Sequence, residues 1–169
     1  MIKTGRKFRR YPFWLIPLAA SLVFLARTGQ QGAPERSAPP QDAAVGRVVD
    51  GDTVVLSSGE RVRYIGINTP ELHHPKKPVE WYAREAKAFN QRLVEGKKVH
   101  LEFDVERRDK YRRLLAYVYL EDGTFVNAEL VRQGYAQVMT FPPNVKYADL
   151  FIRLQREARE SKRGLWNKQ

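Results

Sequence analysis

The sequence predicts an α+β fold, mainly β: a five-stranded OB-type barrel carrying about three helices, in the order β-β-β-α-β-β-α-α. Three observations predict it. Short β-branched runs separated by tight turns begin at Val45, one helical stripe interrupts them, and two helical segments close the chain. Strands are expected over 45–49, 53–56 and 61–67, the second and third joined at the Ser58-Gly59 turn. After a Pro-rich stretch, Val79, Ala83, Ala86, Phe89 or Asn90, and Leu93 recur at helical spacing until Gly96 stops the run. A strand over 98–105 puts Val99, Leu101 and Phe103 on one face, and the almost wholly apolar 114–120 reads as a central strand buried on both sides. Asn127 is placed to cap a short helix that Gly134 ends. The last helix, over 147–163, carries Phe151, Leu154, Ala158 and Ser161 on one stripe before Gly164, with Trp166 as its anchor onto the barrel.

The chain has 169 residues, enough for one folded unit of about 125 residues with a real core plus appendages. There is no cysteine, so disulfides, thiolate metal sites and cysteine nucleophiles are excluded, and a metal would need oxygen or histidine ligands. Net charge is +11. Seven Lys or Arg and two Asp or Glu precede residue 43, so the remainder, with 23 cationic and 17 acidic side chains, still carries +6. That balance suits a polyanionic partner but equally a soluble surface, so the motifs must decide.

Lys3, Arg6, Lys7, Arg9 and Arg10 precede the sixteen-residue apolar run 11–26. A basic head before such a run is a targeting segment. No clean small-x-small cleavage site follows it, and sixteen residues containing Pro12 and Pro17 fall short of the roughly 17 to 25 of a spanning helix. Residues 1–27 are therefore expected to be a signal peptide or a membrane anchor, and the protein to be exported, secreted or anchored facing outward. Residues 28–44, rich in Gln, Pro, Ala and Ser, read as a disordered tether ahead of a domain over 45–169.

Three words carry the chemistry: Asp50-Gly51-Asp52-Thr53; Arg63 ahead of Asn68-Thr69-Pro70-Glu71; and Asp109-Lys110-Tyr111-Arg112-Arg113. Carboxylates and an amide oxygen can seat a hard divalent cation, a further glutamate can handle a water, and two arginines can clamp a phosphate through their donor forks. Taken singly each word is ordinary: Asp-Gly is common turn chemistry, Thr-Pro ends many strands, and most of 30 basic residues must be solvated. Their conjunction makes the difference. His73-His74 lies close by, but adjacent histidines in a Pro-rich loop are more often exposed than ligands. Tyr135, Phe141 and Tyr147 could stack on bases beside a basic groove, although Tyr135, directly after Gly134, fits the core equally well.

In content and order these words resemble the thermonuclease, or staphylococcal-nuclease-like, family over about 45–166. That resemblance implies the same OB barrel and calcium-dependent endonucleolytic hydrolysis of DNA and RNA that leaves 3′-phosphates. It implies that Asp52, Asn68 and the Thr69 carbonyl hold one calcium ion, with Asp50 supporting them. Glu71 would handle the water, Arg63 and Arg113 would be catalytic, and Lys110 and Tyr111 would contact the nucleotide. The sequence departs from the family pattern at Asn68, where a second aspartate is usual, and at Arg112, where glycine is usual. Thr140 stands where a tyrosine is frequent. Asn68 removes one negative charge and should weaken calcium binding. Two other readings stay open: an OB barrel that grips nucleic acid without cutting, and a basic surface protein at the membrane. A monomer is expected.

Overall fold

The structure is a computed structural model that describes residues 41–72 and 78–167. The expected leader, most of the tether and His73-His74 lie outside the described residues. All described residues belong to one compact unit, Ser37–Gln169.

Five strands close a barrel in the order β1 (Asp42–Asp50), β2 (Thr53–Leu56), β3 (Arg61–Tyr64), β6 (Leu114–Leu120) and β5 (Lys98–Glu102). All neighbouring pairs are antiparallel except β3 and β6, which run parallel with Arg63 opposite Leu115. Closure depends on β1. Its first residues pair with β5 and the rest with β2, and two register shifts let it bend from one neighbour to the other. This is why β1 begins at Asp42, ahead of the expected Val45: residues 42–44, assigned to the tether, are paired with 98–100. Alternate residues fill the interior, among them Val45, Val54, Val62, Leu101, Leu114 and Val118.

The third expected strand, over 61–67, is two strands. Gly66 adopts φ +79°, and a Cβ there would lie 2.5 Å from the Phe151 ring, so only glycine fits this turn. Beyond it β4 (Ile67–Asn68) leaves the barrel and pairs with β7 (Gln137–Val138), a strand that the sequence pattern does not reveal. Two residues are too few for a periodic signal.

Helix α1 (Ala83–Val94) buries Ala83, Ala86, Asn90 and Val94; Val79 is exposed and precedes it. The fifth strand stops at Glu102 rather than continuing to Val105. Helix α2 (Val126–Arg132) follows Phe125, and Asn127 does not cap it. Instead the buried Asn127 amide accepts from the Val118 N–H at 2.9 Å and donates to the Ile65 carbonyl at 3.0 Å, tying α2 to β6 and to the turn before β4. Buried backbone groups demand partners, and a short amide side chain supplies two at once. Helix α3 (Ala148–Glu160) buries Phe151, Leu154 and Ala158, while Ser161 lies past its end. In the closing 3-10 turn, Gly164–Trp166, it is Leu165 that is buried, whereas Trp166 is half-buried under Arg159. Tyr135 stacks on Phe89, with ring centroids 4.2 Å apart, and is part of the packing. Among the described residues no helix is long and apolar enough to cross a membrane.

Candidate active site

Asp50 and Thr53 pair across the β1–β2 hairpin, so Gly51 and Asp52 form its turn. The turn packs against the end of β4: a Cβ on Gly51 would meet the Thr69 side chain at 2.7 Å. Close approach lets the Asp52 carboxylate reach across. One oxygen accepts from the Thr69 N–H at 2.7 Å and from Arg63 Nη2 at 3.1 Å, and the other accepts from the Thr53 hydroxyl at 3.1 Å. Arg63, on β3, is held through both of its Nη atoms. Its Nη1 donates to the carbonyls of Tyr64 and Ile67, and its Nη2 also donates to the Asn68 amide oxygen at 3.0 Å. The bend at Gly66 brings β4 back within reach of that guanidinium.

Glu71 is held through its backbone, its N–H donating to the Glu80 carboxylate at 2.9 Å and its carbonyl accepting from the Glu80 N–H at 3.1 Å. Its side chain shares a hydrogen bond with Asp50. Burial of Asp50, then that bond, then the charges of Asp52 and Glu71 push the Asp50 carboxyl up to about 7, while the Gly51 N–H opposes the shift.

Across the cleft, residues 109–113 form a closed turn between β5 and β6. The Asp109 carboxylate accepts from the N–H groups of Tyr111 and Arg113 and, at 2.7 Å, from Arg113 Nε. Arg112 adopts φ +67° there, a conformation costing a residue with a Cβ on the order of 1 to 2 kcal/mol. Its side chain is exposed, so it does not crowd the turn. Lys110 Nζ and Arg113 Cζ lie 5.0 and 5.6 Å from the centre of the Tyr111 ring.

Asp50, Asp52, Asn68, Thr69, Glu71, Arg63 and Arg113 line one cleft of about 180 Å³, together with Arg61. A neighbouring cavity of about 350 Å³ shares Arg63 and Arg113 and is lined further by Met139, Phe141 and Asn144. Lys110 and Tyr111 line neither of the two; Tyr111 is 68% exposed beside them. All the cleft's acidic and amide donors are oxygens, which suit a hard cation. The set relies on an amide and a backbone carbonyl beside acids, and among the described residues no group of three or more acidic or histidine side chains is arranged as a metal cage.

The sequence pattern of the staphylococcal nuclease homologue family matches residues 61–168. The chain belongs to the staphylococcal nuclease family. It is 41% identical to the thermonuclease of Staphylococcus intermedius over 127 residues, covering 73% of this chain and 75% of the relative. It is 34% identical to the thermonuclease of Staphylococcus hyicus over 154 residues, covering 89% and 90%. Endonuclease YncB of Bacillus subtilis is 43% identical over 127 residues, 72% of this chain and 60% of that one. This staphylococcal nuclease homologue is accordingly a hydrolase of the nuclease class.

Sequence reading misses three contributors to the nuclease's cleft and the cavity beside it. Arg61 lines it from two residues before Arg63, on the same side of β3, a spacing that could have revealed it. Asp109 was legible only as the first letter of a motif, yet it holds Arg113. Asn144 accepts from the Glu106 N–H and donates to the Glu106 carbonyl, both at 2.8 Å, and so fixes the segment bearing Phe141 against the one leading to Asp109. No local signal marks a contact spanning 38 residues. Thr140 buries its hydroxyl oxygen without a hydrogen-bond partner, and the exposed aromatic beside the larger cavity is Phe141.

Proposed function

We propose that this protein is an exported, calcium-dependent, sugar-nonspecific endonuclease that hydrolyses phosphodiester bonds of DNA and RNA and leaves 3′-phosphates. One observation carries the reading: two arginines, three carboxylates and an amide oxygen, drawn from words sixty residues apart, line a single cleft. The family relationship supports it.

Asp52, Asn68 and the Thr69 carbonyl would hold the cation, with Asp50 supporting them. When bound, the ion polarises a phosphoryl oxygen and offsets charge that develops on it. Glu71 accepts a proton from a water whose oxygen bonds to phosphorus. The bond from phosphorus to the 5′-oxygen breaks, that oxygen takes up a proton, and the phosphate remains on the 3′ side. Arg63 and Arg113, whose forks match phosphate oxygens, neutralise the charge added as the fifth oxygen arrives. Lys110 and Tyr111, at the cleft's edge, meet the adjoining nucleotide. Residues 1–27 direct export, as a cleaved signal or a retained anchor, and the barrel acts as a monomer.

A second reading has one observation in its favour. The Arg63 guanidinium bridges Asp52 and Asn68, two groups required as cation ligands, which is the arrangement a non-cutting nucleic-acid binder could keep. Incubation of purified protein with plasmid and RNA, with calcium or with EDTA, separates the two. The nuclease shortens both substrates only with the ion; the binder retards their migration without shortening them. Magnesium or manganese replacing calcium at equal rate would contradict the assignment of the ion.

A further inference from the structure

The turn over 109–113 presents one side chain that the fold does not use. At φ +67°, Arg112 occupies the region where a Cβ crowds the following carbonyl and where glycine fits without strain. Nothing in the turn requires arginine. The Arg112 N–H donates to the Asp109 carbonyl at 2.9 Å and its carbonyl accepts from Arg108 Nη1 at 3.0 Å, both backbone roles open to any residue. Among the described residues its guanidinium makes no hydrogen bond, ion pair or ring contact, and it is exposed. Lys162 is strained in the same way, but there the left-handed residue terminates α3, with the Arg163 N–H returning to the Ala158 carbonyl. What distinguishes Arg112 is its surroundings. Arg113, next in the chain, lines both cavities, and the exposed Tyr111 and Lys110 precede it.

A strained, exposed cation with no internal partner among the described residues, adjacent in the chain to the arginine that lines both cavities, is explained by a partner outside the molecule. We propose that Arg112 is a substrate-binding residue whose guanidinium takes a backbone phosphate of the nucleic-acid strand where it leaves the cleft, outside the scissile position. The assignment rests on the nuclease reading above for the nature of the strand. A planar donor fork suits phosphate oxygens, and a contact of this kind positions a strand without reading its sequence. Strain in the turn is thus retained for affinity.

Substituting glycine relieves the strain and removes the charge together, so thermal unfolding reads the first effect and binding reads the second. The full chain, Arg112→Gly and Arg112→Lys are compared by thermal unfolding and by binding of a labelled single-stranded DNA oligonucleotide in EDTA at several salt concentrations. Arg112→Gly should unfold a few degrees higher yet bind roughly three- to tenfold more weakly, with the slope of log affinity against log salt shallower by about 0.7, the share of one phosphate contact on a single strand. Arg112→Lys should keep the wild-type slope. In calcium, the loss in Arg112→Gly should fall on KM rather than kcat. A glycine variant that binds with wild-type affinity and salt slope overturns the proposal. Failure of the nuclease reading looks different: wild-type protein that binds the oligonucleotide in an Arg112-dependent way but leaves plasmid and RNA uncut. Wild-type protein that binds no oligonucleotide overturns both.

Discussion

Arg63 and Arg113 face one cleft but are held in opposite ways. Arg63 donates to two backbone carbonyls, an amide oxygen and the Asp52 carboxylate, and its side chain is 15% exposed. Among the described residues the Arg113 side chain donates to Asp109 and lies over the Tyr111 ring, both within its own turn, and it is 28% exposed. The first arginine is part of how β3, β4 and the β1–β2 turn are joined; the second is hung at the rim. If Arg63 also meets substrate, as proposed, it cannot be removed without disturbing the fold as well, whereas a rim group can be lost with the fold intact.

In the proposed mechanism both arms act around a water that Glu71 activates, and the largest effect should come there. Glu71→Gln should lower turnover by a factor on the order of 10² to 10⁴, the range of a general base, with substrate affinity little changed in a binding measurement. A turnover within a fewfold of wild type, in folded protein, would remove Glu71 from the mechanism.

Exchanging each arginine for alanine tests the contrast itself. Either change should reduce kcat by about 10² to 10³, the cost of one lost donor to developing charge. Stability should divide them. Arg63→Ala strands the largely buried Asp52 carboxylate and should cost about 2 to 3 kcal/mol in urea unfolding, discounted from a fully buried pair because neither group is wholly dry. Arg113→Ala breaks a partly exposed pair within one turn and should cost under about 1 kcal/mol. Equal losses would erase the distinction between the two arms.

Asn68→Asp sharpens it further by adding a charge on the Arg63 side only. Calcium titration should show tighter binding than in the wild-type protein, because affinity follows the count of charged ligands. Unchanged or weaker affinity would show that the extra carboxylate is spent on Arg63 instead.

Last comes the pH dependence of stability through Asp50. Its carboxyl is raised in the folded state from an ordinary 3.8 to about 7, so folding favours the protonated form. The stability this group contributes is complete at pH values below about 4 and is lost as pH rises through about 7. Thermal unfolding in EDTA should therefore decline over that window relative to Asp50→Asn, which cannot titrate. Parallel pH profiles for the two proteins would show that Asp50 keeps its charge.

Much of the scaffold was legible because periodic burial is a local property. The runs that became β2, β5 and β6 announce themselves by β-branched and apolar spacing, and the Phe151, Leu154 and Ala158 stripe fixes α3. What escaped were features without period or length. The break at Gly66, the two-residue β4 and β7, the early start of β1 and the inward role of Asn127 all arise from partners far along the chain. For the site, the residue types were legible and their bonding was not. Asp52, Arg63, Asn68, Glu71 and Arg113 could be named from three words, but the Arg63 bridge to Asp52 and Asn68 needs the Gly66 turn to fold β4 back.

The sequence by itself determined the barrel's strand inventory, the basic charge and the stock of oxygen and guanidinium donors, since each is a property of side chains and their spacing. Only the tertiary structure decided that those donors share one cleft, that one arginine is built into the fold while the other stands at its rim, and that Arg112 sits in a strained backbone. Such facts depend on closure of the β1–β2 turn onto Thr69 and of β4 onto β7, contacts between residues that no local rule brings together.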